Sequence, residues 1–264
     1  MLKKRIIPVT LFSNGWLVQT KNFSNFRNLG NPYEIIKRLS KFGSDELIYV
    51  DISRGPSLNL RQDVKGISSF DFIDTVKKVS EISSIPLTCG GKVKTMEQIN
   101  NLLINGADKV LINTEFHKNT KLISTSSKEF GSQAIVGGID VKTHDNEYFV
   151  YHSDGTINSK KKVLDWAKFL EDSGCGEIFV NSINKDGSNS GFDLELGKKL
   201  IDSINLPIIF CGGASNEEHF MELFNLGVDA AAAANMFNYK EQSIYNVKKN
   251  LYNKNYNVRK PFFL

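Results

Sequence analysis

The chain carries one motif twice, separated by nearly half of its length. Pro86–Gly91 reads PLTCGG and Pro207–Gly213 reads PIIFCGG, so the two Cys-Gly-Gly triplets are 122 residues apart (211 − 89). A Gly-x-Asp triplet and a short apolar run follow each copy, beginning at Gly106 and at Gly227. Solenoid repeats recur every ~20–50 residues. The long, nearly constant offset therefore predicts one fold built from two similar halves.

Short apolar runs alternate with segments of helical periodicity, which is typical of βαβ units around a parallel sheet. The predicted strands are Arg5–Leu11, Leu47–Asp51, Leu87–Cys89, Val110–Ile112, Ala134–Asp140, Ile178–Asn181, Ile208–Cys211 and Ala230–Ala234. The predicted helices are Pro32–Phe42, Phe70–Ser80, Thr95–Asn105, Lys118–Phe130, Val163–Ser173, Leu194–Ile204, Asn216–Leu226 and Lys240–Asn250. Eight strands close a barrel, and such barrels have ~250 residues. We expect one α/β domain over residues 1–264, a single (β/α)8 TIM barrel made of two half-barrels.

Composition excludes several kinds of partner. The formal net charge of +4 is spread along the chain, so we expect no nucleic-acid partner. No apolar run reaches the ~18 residues that a membrane span needs, and Met1–Phe12 lacks the cleavage site of a signal peptide. The three cysteines form no C-x-x-C pair, which favours a reducing compartment. A cytoplasmic protein is the expectation.

The four histidines share no metal-ligand spacing. They are His117, His144, His152 and His219. We therefore expect no structural metal, and no motif in the chain calls for a cofactor.

Glycine pairs and polar residues follow several predicted strands, at the barrel end where active sites form. Glycine lets backbone N–H groups approach a phosphate closely, although one Gly-Gly pair alone is equally typical of a turn after a strand. The candidate phosphate-binding residues are Gly90, Gly91, Lys92, Asn113, Thr114, Asp186, Gly187, Gly212, Gly213, Ala234 and Asn235. Because the two groups match, we expect a phosphorylated small-molecule ligand with two anionic ends. The long connections Phe12–Asn31 and Val141–Lys162 are also expected to be functional.

These motifs resemble those of the cyclase subunit of imidazole glycerol phosphate synthase, a two-fold repeated (β/α)8 barrel. The resemblance spans Leu2 to about Arg259 and includes KRIIP, NGWLV, NFSNFRNLGNP, DELIYVDI, NGADKVLINT, FGSQAIVGGIDVK, GCGEIFVNSINKDGSNSGFD, LPIIFCGGAS and NVRK. It implies a heterodimer with a glutaminase subunit, whose ammonia closes an imidazole ring and releases an aminoimidazole nucleotide.

The resemblance also implies two catalytic carboxylates facing each other, and this chain departs from that pattern. Asp140 matches one carboxylate, but Leu11 stands where the family has the other. Gln19 replaces a loop lysine, Lys92 replaces a third glycine, and Asn235 replaces a serine. Loss of an acid–base group typically costs ~10²–10⁴-fold in rate. We therefore expect little or no ring closure by the unmodified protein.

Charged residues stand at four predicted strand starts: Arg5, Glu46, Lys109 and Glu177. Any one of them alone would be read as an ordinary solvated charge. The resemblance implies that together they form a salt-bridged ring, an ammonia gate where the glutaminase docks. Asp108 matches a residue of that docking face.

Three hypotheses for function follow. The first is ammonia delivery for amidation of a bacterial surface-polysaccharide sugar on a third protein, a sugar amidotransferase, because Leu-bearing relatives resemble such barrel subunits. The second is a genuine histidine-pathway cyclase in which Asp51, at the end of a predicted strand, or a water molecule replaces the missing group. The third is a non-catalytic scaffold that activates the glutaminase.

Overall fold

A computed structural model describes residues 2–21, 23–54, 70–145, 147–239 and 243–262. Within them the strands are β1 (Arg5–Ser13), β2 (Trp16–Lys21), β3 (Ser24–Gly30), β4 (Leu47–Asp51), β5 (Leu87–Gly90), β6 (Lys109–Ile112), β7 (Ile135–His144), β8 (Glu147–His152), β9 (Ile157–Lys162), β10 (Glu177–Ser182), β11 (Ile208–Cys211) and β12 (Ala230–Ala233). The helices are α1 (Pro32–Lys41), α2 (Phe72–Ser80), α3 (Met96–Ile104), α4 (Thr114–Lys118), α5 (Lys121–Phe130), α6 (Val163–Asp172), α7 (Leu194–Ile201), α8 (Glu217–Asn225), α9 (Asn235–Tyr239) and α10 (Ser243–Asn253).

Eight strands pair in parallel and close on themselves. Their order around the barrel is β1, β4, β5, β6, β7, β10, β11 and β12, and β12 pairs with β1. Closure between the two halves of the chain comes from β6 with β7 and from β12 with β1. The predicted (β/α)8 barrel is thereby confirmed.

The barrel interior follows from the two-residue period of a strand. In β1, the inward phase carries Arg5, Ile7, Val9 and Leu11 in that order from the N-terminal end. Residues of the same phase on the other strands pack against Ile7 and Val9 in a separate inner cluster. The larger core lies outside the strands, where the helices pack on them. One phase of each barrel strand thus points to the axis and the other to the helices.

Helix starts agree with the local sequence. Asn31 accepts a hydrogen bond from the N–H of Tyr33, and Pro32 begins α1, as a cap followed by proline predicts. Thr95 caps α3 and Asn216 caps α8 in the same way. None of the helices in the described part of the chain is long and apolar enough to span a membrane.

The two long connections, which the sequence predicts as functional loops, are antiparallel hairpins in the structure. After β1, Asn14 and Gly15 both have positive φ, 49° and 91°, and turn the chain into β2. An Asn-Gly pair is a strong hairpin signal that could have revealed this. After β7, strands β8 and β9 extend the sheet in the same manner.

The helix predicted over Lys118–Phe130 is shorter in the structure, where α5 begins at Lys121. Lys118 instead ends α4, and Asn119 between the two helices has a non-helical backbone (φ −132°, ψ 82°). The helix predicted over Lys240–Asn250 corresponds to α10 (Ser243–Asn253), and its predicted start at Lys240 lies outside the described residues.

The internal repeat is visible in hydrogen bonds as well as in sequence. Oδ2 of Asp108 accepts from the N–H of Leu87 at 2.8 Å, and Oδ2 of Asp229 accepts from the N–H of Ile208 at 3.2 Å. In each half, the aspartate just before β6 or β12 thus accepts a hydrogen bond from the first residue of the preceding barrel strand, β5 or β11. This explains why the Gly-x-Asp triplet recurs.

Candidate functional site at the two ends of the barrel

Four charged side chains form a closed ring at the N-terminal end of the barrel. Arg5 pairs with Glu46 at 2.8 Å and also with Glu177. On the other side, Lys109 Nζ lies 3.0 Å from Glu46 Oε2 and 2.7 Å from Glu177 Oε2. The carboxylates are almost fully buried, and Thr88 Oγ1 donates to Glu46 at 2.6 Å. The structure therefore brings together the four residues that the sequence analysis grouped.

The ring is electrostatically self-consistent. Burial alone would lower the pKa of Arg5, but Glu177 and then Glu46 outweigh it and leave the pKa raised. Arg5 and Lys109 each bridge the same two buried carboxylates, which is the arrangement that makes buried charges tolerable. Asp108 stands outside this ring and is exposed, with its carboxylate on Leu87 as described above.

A cavity of about 390 Å³ opens at the C-terminal end of the barrel strands. Its apolar floor continues the inner cluster and includes Val9, Leu111 and Phe179. Candidate residues lining its wall are Leu11, Asp51, Gly91, Lys92, Asn113, Thr114, Asp140, Asp186 and Ala234. The ring and the cavity therefore occupy opposite ends of one apolar barrel interior.

Asp140 is the titratable group best suited to proton transfer in this cavity. Burial, followed by the neighbouring carboxylates Asp154 and Asp186, raises its pKa to about 7, while hydrogen bonds from Asn113 and Asn181 oppose the rise. A carboxyl with a pKa near neutrality can both donate and accept a proton at physiological pH. The sequence predicted Asp140 but gave no sign of these neighbours, which lie on separate strands and loops.

The partner position across the mouth is apolar. Leu11 is half-buried and packs with Val50 and Ala234 at the top of the inner cluster. Gln19 lies in β2, paired in register with Arg27, and is not among the described residues that line the cavity. Neither residue supplies an acid or a base to Asp140.

Asp51, at the end of β4, is a second carboxylate in the same cavity. Its Oδ1 accepts hydrogen bonds from the N–H of Ser53 at 2.9 Å and from its hydroxyl at 2.6 Å. Its Oδ2 lies 3.4 Å from Nζ of Lys92. Asp51 is thus held in place by local contacts while it faces the cavity.

The first glycine loop is open to the cavity. Gly91 has φ 89°, and a Cβ there would lie 2.1 Å from the carbonyl oxygen of Asp51, so only glycine fits. Lys92 follows with φ 57°, a left-handed conformation that is uncommon for residues with a side chain. Asn113 and Thr114 line the same wall at the start of α4. Gly90 lies beneath them, against Leu111.

The second glycine loop is covered by the β2–β3 hairpin. Asn235 donates to the carbonyl of Thr20 at 2.9 Å, and the N–H of Phe23 donates to Asp186 at 3.3 Å. A Cβ on Gly187 would touch Lys21, and one on Gly213 would meet the backbone of Gly191. Gly212 and Gly213 have positive φ, at 108° and 97°, whereas in the first loop the residues with positive φ are Gly91 and Lys92. The two loops therefore differ in backbone conformation as well as in access.

Sequence reasoning missed the residues that close the rim of the cavity. Arg54 pairs with Asp154 at 3.0 Å and lies over the ring of Phe26, so it joins the loop after β4 to both hairpins. Ser153, Asp154 and Gly155 all have left-handed backbone conformations and form the turn that carries Asp154 at the rim. The Asp-Gly pair at this turn is the signal that could have indicated it.

The described residues contain no group of three or more histidine, cysteine, aspartate or glutamate side chains arranged to hold a metal ion. His117 instead stacks between His152 and Trp166, with ring centroids 4.8 and 4.2 Å away. Burial, with smaller contributions from His152 and Lys161, lowers its pKa to about 3. This histidine is therefore neutral at physiological pH.

Fold and site together define a class: a (β/α)8 barrel with glycine-lined loops around a carboxylate cavity and a salt-bridged ring at the opposite end. The sequence model of a family described as histidine biosynthesis protein matches residues 5–243. The chain belongs to that histidine biosynthesis family.

Three relatives show how far the similarity extends. The chain is 39% identical over 259 residues to the imidazole glycerol phosphate synthase subunit HisF of Sulfurisphaera tokodaii, covering 98% of this chain and 100% of that protein. It is 37% identical to the HisF subunit of Saccharolobus solfataricus over 260 residues, with 98% and 100% covered. It is 40% identical to the HisF subunit of Campylobacter concisus over 248 residues, with 94% of each chain covered.

Proposed function

We propose that this chain is the barrel subunit of a glutamine-dependent synthase that closes an imidazole ring with ammonia supplied by a glutaminase. The observation that carries the proposal is the alignment of a closed charged ring, an apolar barrel interior and a carboxylate cavity along one axis. The names of the three relatives support this histidine-pathway reading better than the sugar-amidation hypothesis.

The barrel interior suits neutral ammonia as the travelling species. Between the ring and the cavity, the inner cluster consists of side chains such as Ile7, Ile48, Val136 and Ile209. An ammonium ion would lose its hydration there without a counter-ion, whereas ammonia loses far less. Passage requires one ion pair of the ring to open, so the ring acts as a gate in this proposal.

Ring closure requires a proton donor and a proton acceptor, and two carboxylates are available in the cavity. Asp140 has the pKa of a group that exchanges protons at neutral pH. Leu11 cannot contribute, so the second role falls to Asp51, which lines the same cavity and is held by Ser53. The glycine loops would hold the phosphates of a bisphosphorylated substrate on either side.

The test is an ammonia-dependent cyclisation assay with the bisphosphorylated ribulosyl formimino substrate and ammonium salts. The unmodified protein should turn over at about 1 s⁻¹ or faster, in the range of ordinary enzymes. Asp140→Asn and Asp51→Asn should each lower the rate by ~10²–10⁴-fold. Asp172→Asn is the matched control, because Asp172 is exposed on α6 and far from the cavity lining. Absence of turnover by the unmodified protein would contradict the proposal.

The glutaminase partner would dock on the N-terminal face, and Asp108 offers a matched test of this surface. Asp108 and Asp229 make the same hydrogen bond in the two halves. Replacing either with alanine should cost similar stability, but only Asp108→Ala should weaken glutaminase affinity. Equal loss of affinity in both variants would show a general effect on the fold. Lys109→Glu is a poorer probe, since it would add a third carboxylate to the ring.

A second candidate is favoured by one observation, the leucine at position 11 facing Asp140 across the cavity. In that case the barrel passes ammonia onward, to a sugar acceptor on a third protein, without closing a ring. The expected result is a glutaminase that is stimulated by this chain, with no cyclisation and with ammonia released at the C-terminal end. Leu11→Asp with Gln19→Lys would then recover measurable cyclisation.

The same assays address the scaffold hypothesis, in which only glutaminase stimulation is seen and no ammonia leaves through the barrel. In each version of the proposal, we place the complex in the cytoplasm. The three cysteines are buried free thiols, which fits a reducing compartment.

A further inference from the structure

The cationic side chains of the cavity lie on one side. Among the described lining residues they are Arg54, Lys92 and Lys94, which follow β4 and β5. Three lining carboxylates lie on the other side: Asp140 is in β7, and Asp154 and Asp186 follow β8 and β10. Of the remaining two, Asp51 ends β4 and Glu115 follows β6. Since Arg54 is paired with Asp154 at the rim, the lysines are the cations nearest to the first glycine loop.

Lys92 holds a backbone conformation that disfavours its own side chain. Its φ of 57° belongs to the left-handed region, which glycine adopts readily and lysine rarely. The matching residue after the second glycine pair, Ala214, does not have a positive φ. Residues with strained backbone conformations cluster at active sites and ligand-binding sites.

The ion pair between Lys92 and Asp51 is weak enough for a bound anion to replace Asp51 as the partner of Lys92. Their charged atoms are 3.4 Å apart, and about half of the lysine side chain is exposed (53%). Asp51 retains two hydrogen bonds from Ser53 if the lysine leaves. Lys92 can therefore turn toward an anion at Gly91 without leaving a carboxylate unpartnered.

We propose that Lys92 is a ligand-binding residue that makes the first glycine loop, with Asn113 and Thr114, select a phosphate monoester dianion over a phosphate diester monoanion. The inference rests on the proposed phosphate-binding function of this loop. A lysine at hydrogen-bond distance gains nearly twice the Coulomb energy from a dianion as from a monoanion. Lys92 therefore adds charge selectivity to a loop whose backbone N–H groups bind either ligand.

The test uses protein labelled with ¹⁵N in glycine only, so that the amides of Gly91 and Gly213 report the two loops separately. Methyl phosphate, a dianion, and dimethyl phosphate, a monoanion, are titrated at pH 7.5 and low salt. In the unmodified protein, the Gly91 amide should respond to methyl phosphate at a concentration about tenfold lower than to dimethyl phosphate. The Gly213 amide is the internal control.

Lys92→Gly is the decisive variant because glycine accepts the left-handed backbone, so its thermal midpoint should be equal or higher. It should raise the methyl phosphate midpoint at Gly91 about tenfold and abolish the preference for the dianion, with Gly213 unchanged. Lys92→Ala should do the same, and Lys92→Arg should retain the preference. Lys78→Ala, an exposed charge on α2, controls for net charge and should change neither midpoint.

Two outcomes would overturn the inference, and they are distinguishable. If Gly91 responds normally and Lys92→Gly leaves its midpoint and selectivity unchanged, the role of Lys92 is wrong while phosphate binding stands. If the Gly91 amide of the unmodified protein responds to neither ligand, phosphate binding at this loop fails, and the inference fails with it.

Discussion

The side-chain amide of Asn113 donates a hydrogen bond to Oδ2 of Asp140 at 2.8 Å and ties the end of β6 to β7. Anion binding at Asn113 stays a prediction from the sequence, and the structure adds that its side-chain amide is engaged with the carboxylate. A hydrogen bond from Asn181, on the other neighbouring strand, also lowers the pKa of Asp140. Amides on both sides of Asp140 therefore oppose the rise in its pKa that burial, Asp154 and Asp186 cause.

Removing that hydrogen bond should shift the titration of Asp140. Because Asn113 stabilises the charged carboxylate, Asn113→Ala should move the pKa of Asp140 above its value of about 7. The measurement is a ¹³C carboxyl NMR titration of aspartate-labelled protein. Asn238→Ala is the control, since Asn238 donates to the carbonyl of Ala234 and does not touch Asp140. A downward shift in Asn113→Ala would contradict the assignment.

Asp140 should also make stability depend on pH. Its pKa is about 7 in the folded protein against 3.8 for an ordinary aspartate, so between these values the folded state holds one more proton. Stability is therefore lost as the pH rises through this window. At pH 8, Asp140→Asn should be more stable than the parent by on the order of 2 kcal/mol.

At pH 3.5 the same two proteins should unfold at similar urea concentrations, because aspartate is then largely neutral in both states. Urea unfolding at the two pH values measures the effect. Asp172→Asn, on the exposed face of α6, should show no such difference. A parent that is more stable than Asp140→Asn at pH 8 would show that hydrogen bonds to the carboxylate outweigh the cost of burying its charge, and would contradict the prediction.

The charged ring should be intolerant of losing one member. Lys109→Met would leave Glu46 and Glu177 buried with Arg5 as the remaining cation among the described residues of the ring. Breaking a buried ion pair in this way typically costs ~3–5 kcal/mol. Lys162→Met removes an exposed pair with Glu147 and should cost far less, because solvent screens such a pair. Urea unfolding that gives equal losses for the two variants would contradict the reading of the ring as buried and coupled.

A second buried ion pair fastens the last helix to the barrel. Nζ of Lys248 lies 2.8 Å from Oδ1 of Asp45 and donates to the carbonyl of Gly43, and both charged side chains are at most 1% exposed. Lys248→Met should destabilise the protein by ~3–5 kcal/mol, because Asp45 is left buried with a hydrogen bond from the N–H of Ile6 and only a longer contact, 3.8 Å, to Arg259.

The adjacent residue Lys249 is exposed, and Lys249→Met is the matched control with an expected change within ~0.5 kcal/mol. Adding Asp45→Asn to Lys248→Met should recover part of the loss, since a neutral amide is cheaper to bury than a carboxylate that has lost its nearest cation. No recovery in equilibrium unfolding would indicate that packing of the lysine stem, rather than charge, dominates.

Much of the barrel could be predicted from the residues themselves. The eight parallel strands follow from short apolar runs, and the repeat follows from the duplicated Cys-Gly-Gly and Gly-x-Asp segments. Strand periodicity places Arg5 and Leu11 on the same inward face of β1, six residues apart. Local signals of this kind depend only on neighbours in the chain, so the sequence is sufficient to reveal them.

The hairpins were missed for a different reason. Each hairpin begins as a continuation of a barrel strand, and its residues resemble a polar loop unless the turn is recognised. The pair Asn14-Gly15 is the sequence signal for the first of these turns. What no local pattern contained was the consequence that β2 and β3 cover the second glycine loop through Thr20 and Phe23.

The sequence by itself determined the barrel, its two-fold repeat, the charges at the strand starts and the absence of an acid at position 11. Only the tertiary structure decided that Lys92 has a left-handed backbone beside Asp51, and that Asp140 has a pKa near neutrality. The physical reason is that pKa values and ion pairs depend on distances between groups far apart in the chain. Asn113 and Asp140 are 27 residues apart, and Arg5 and Glu177 are 172 apart. Barrel closure sets these distances.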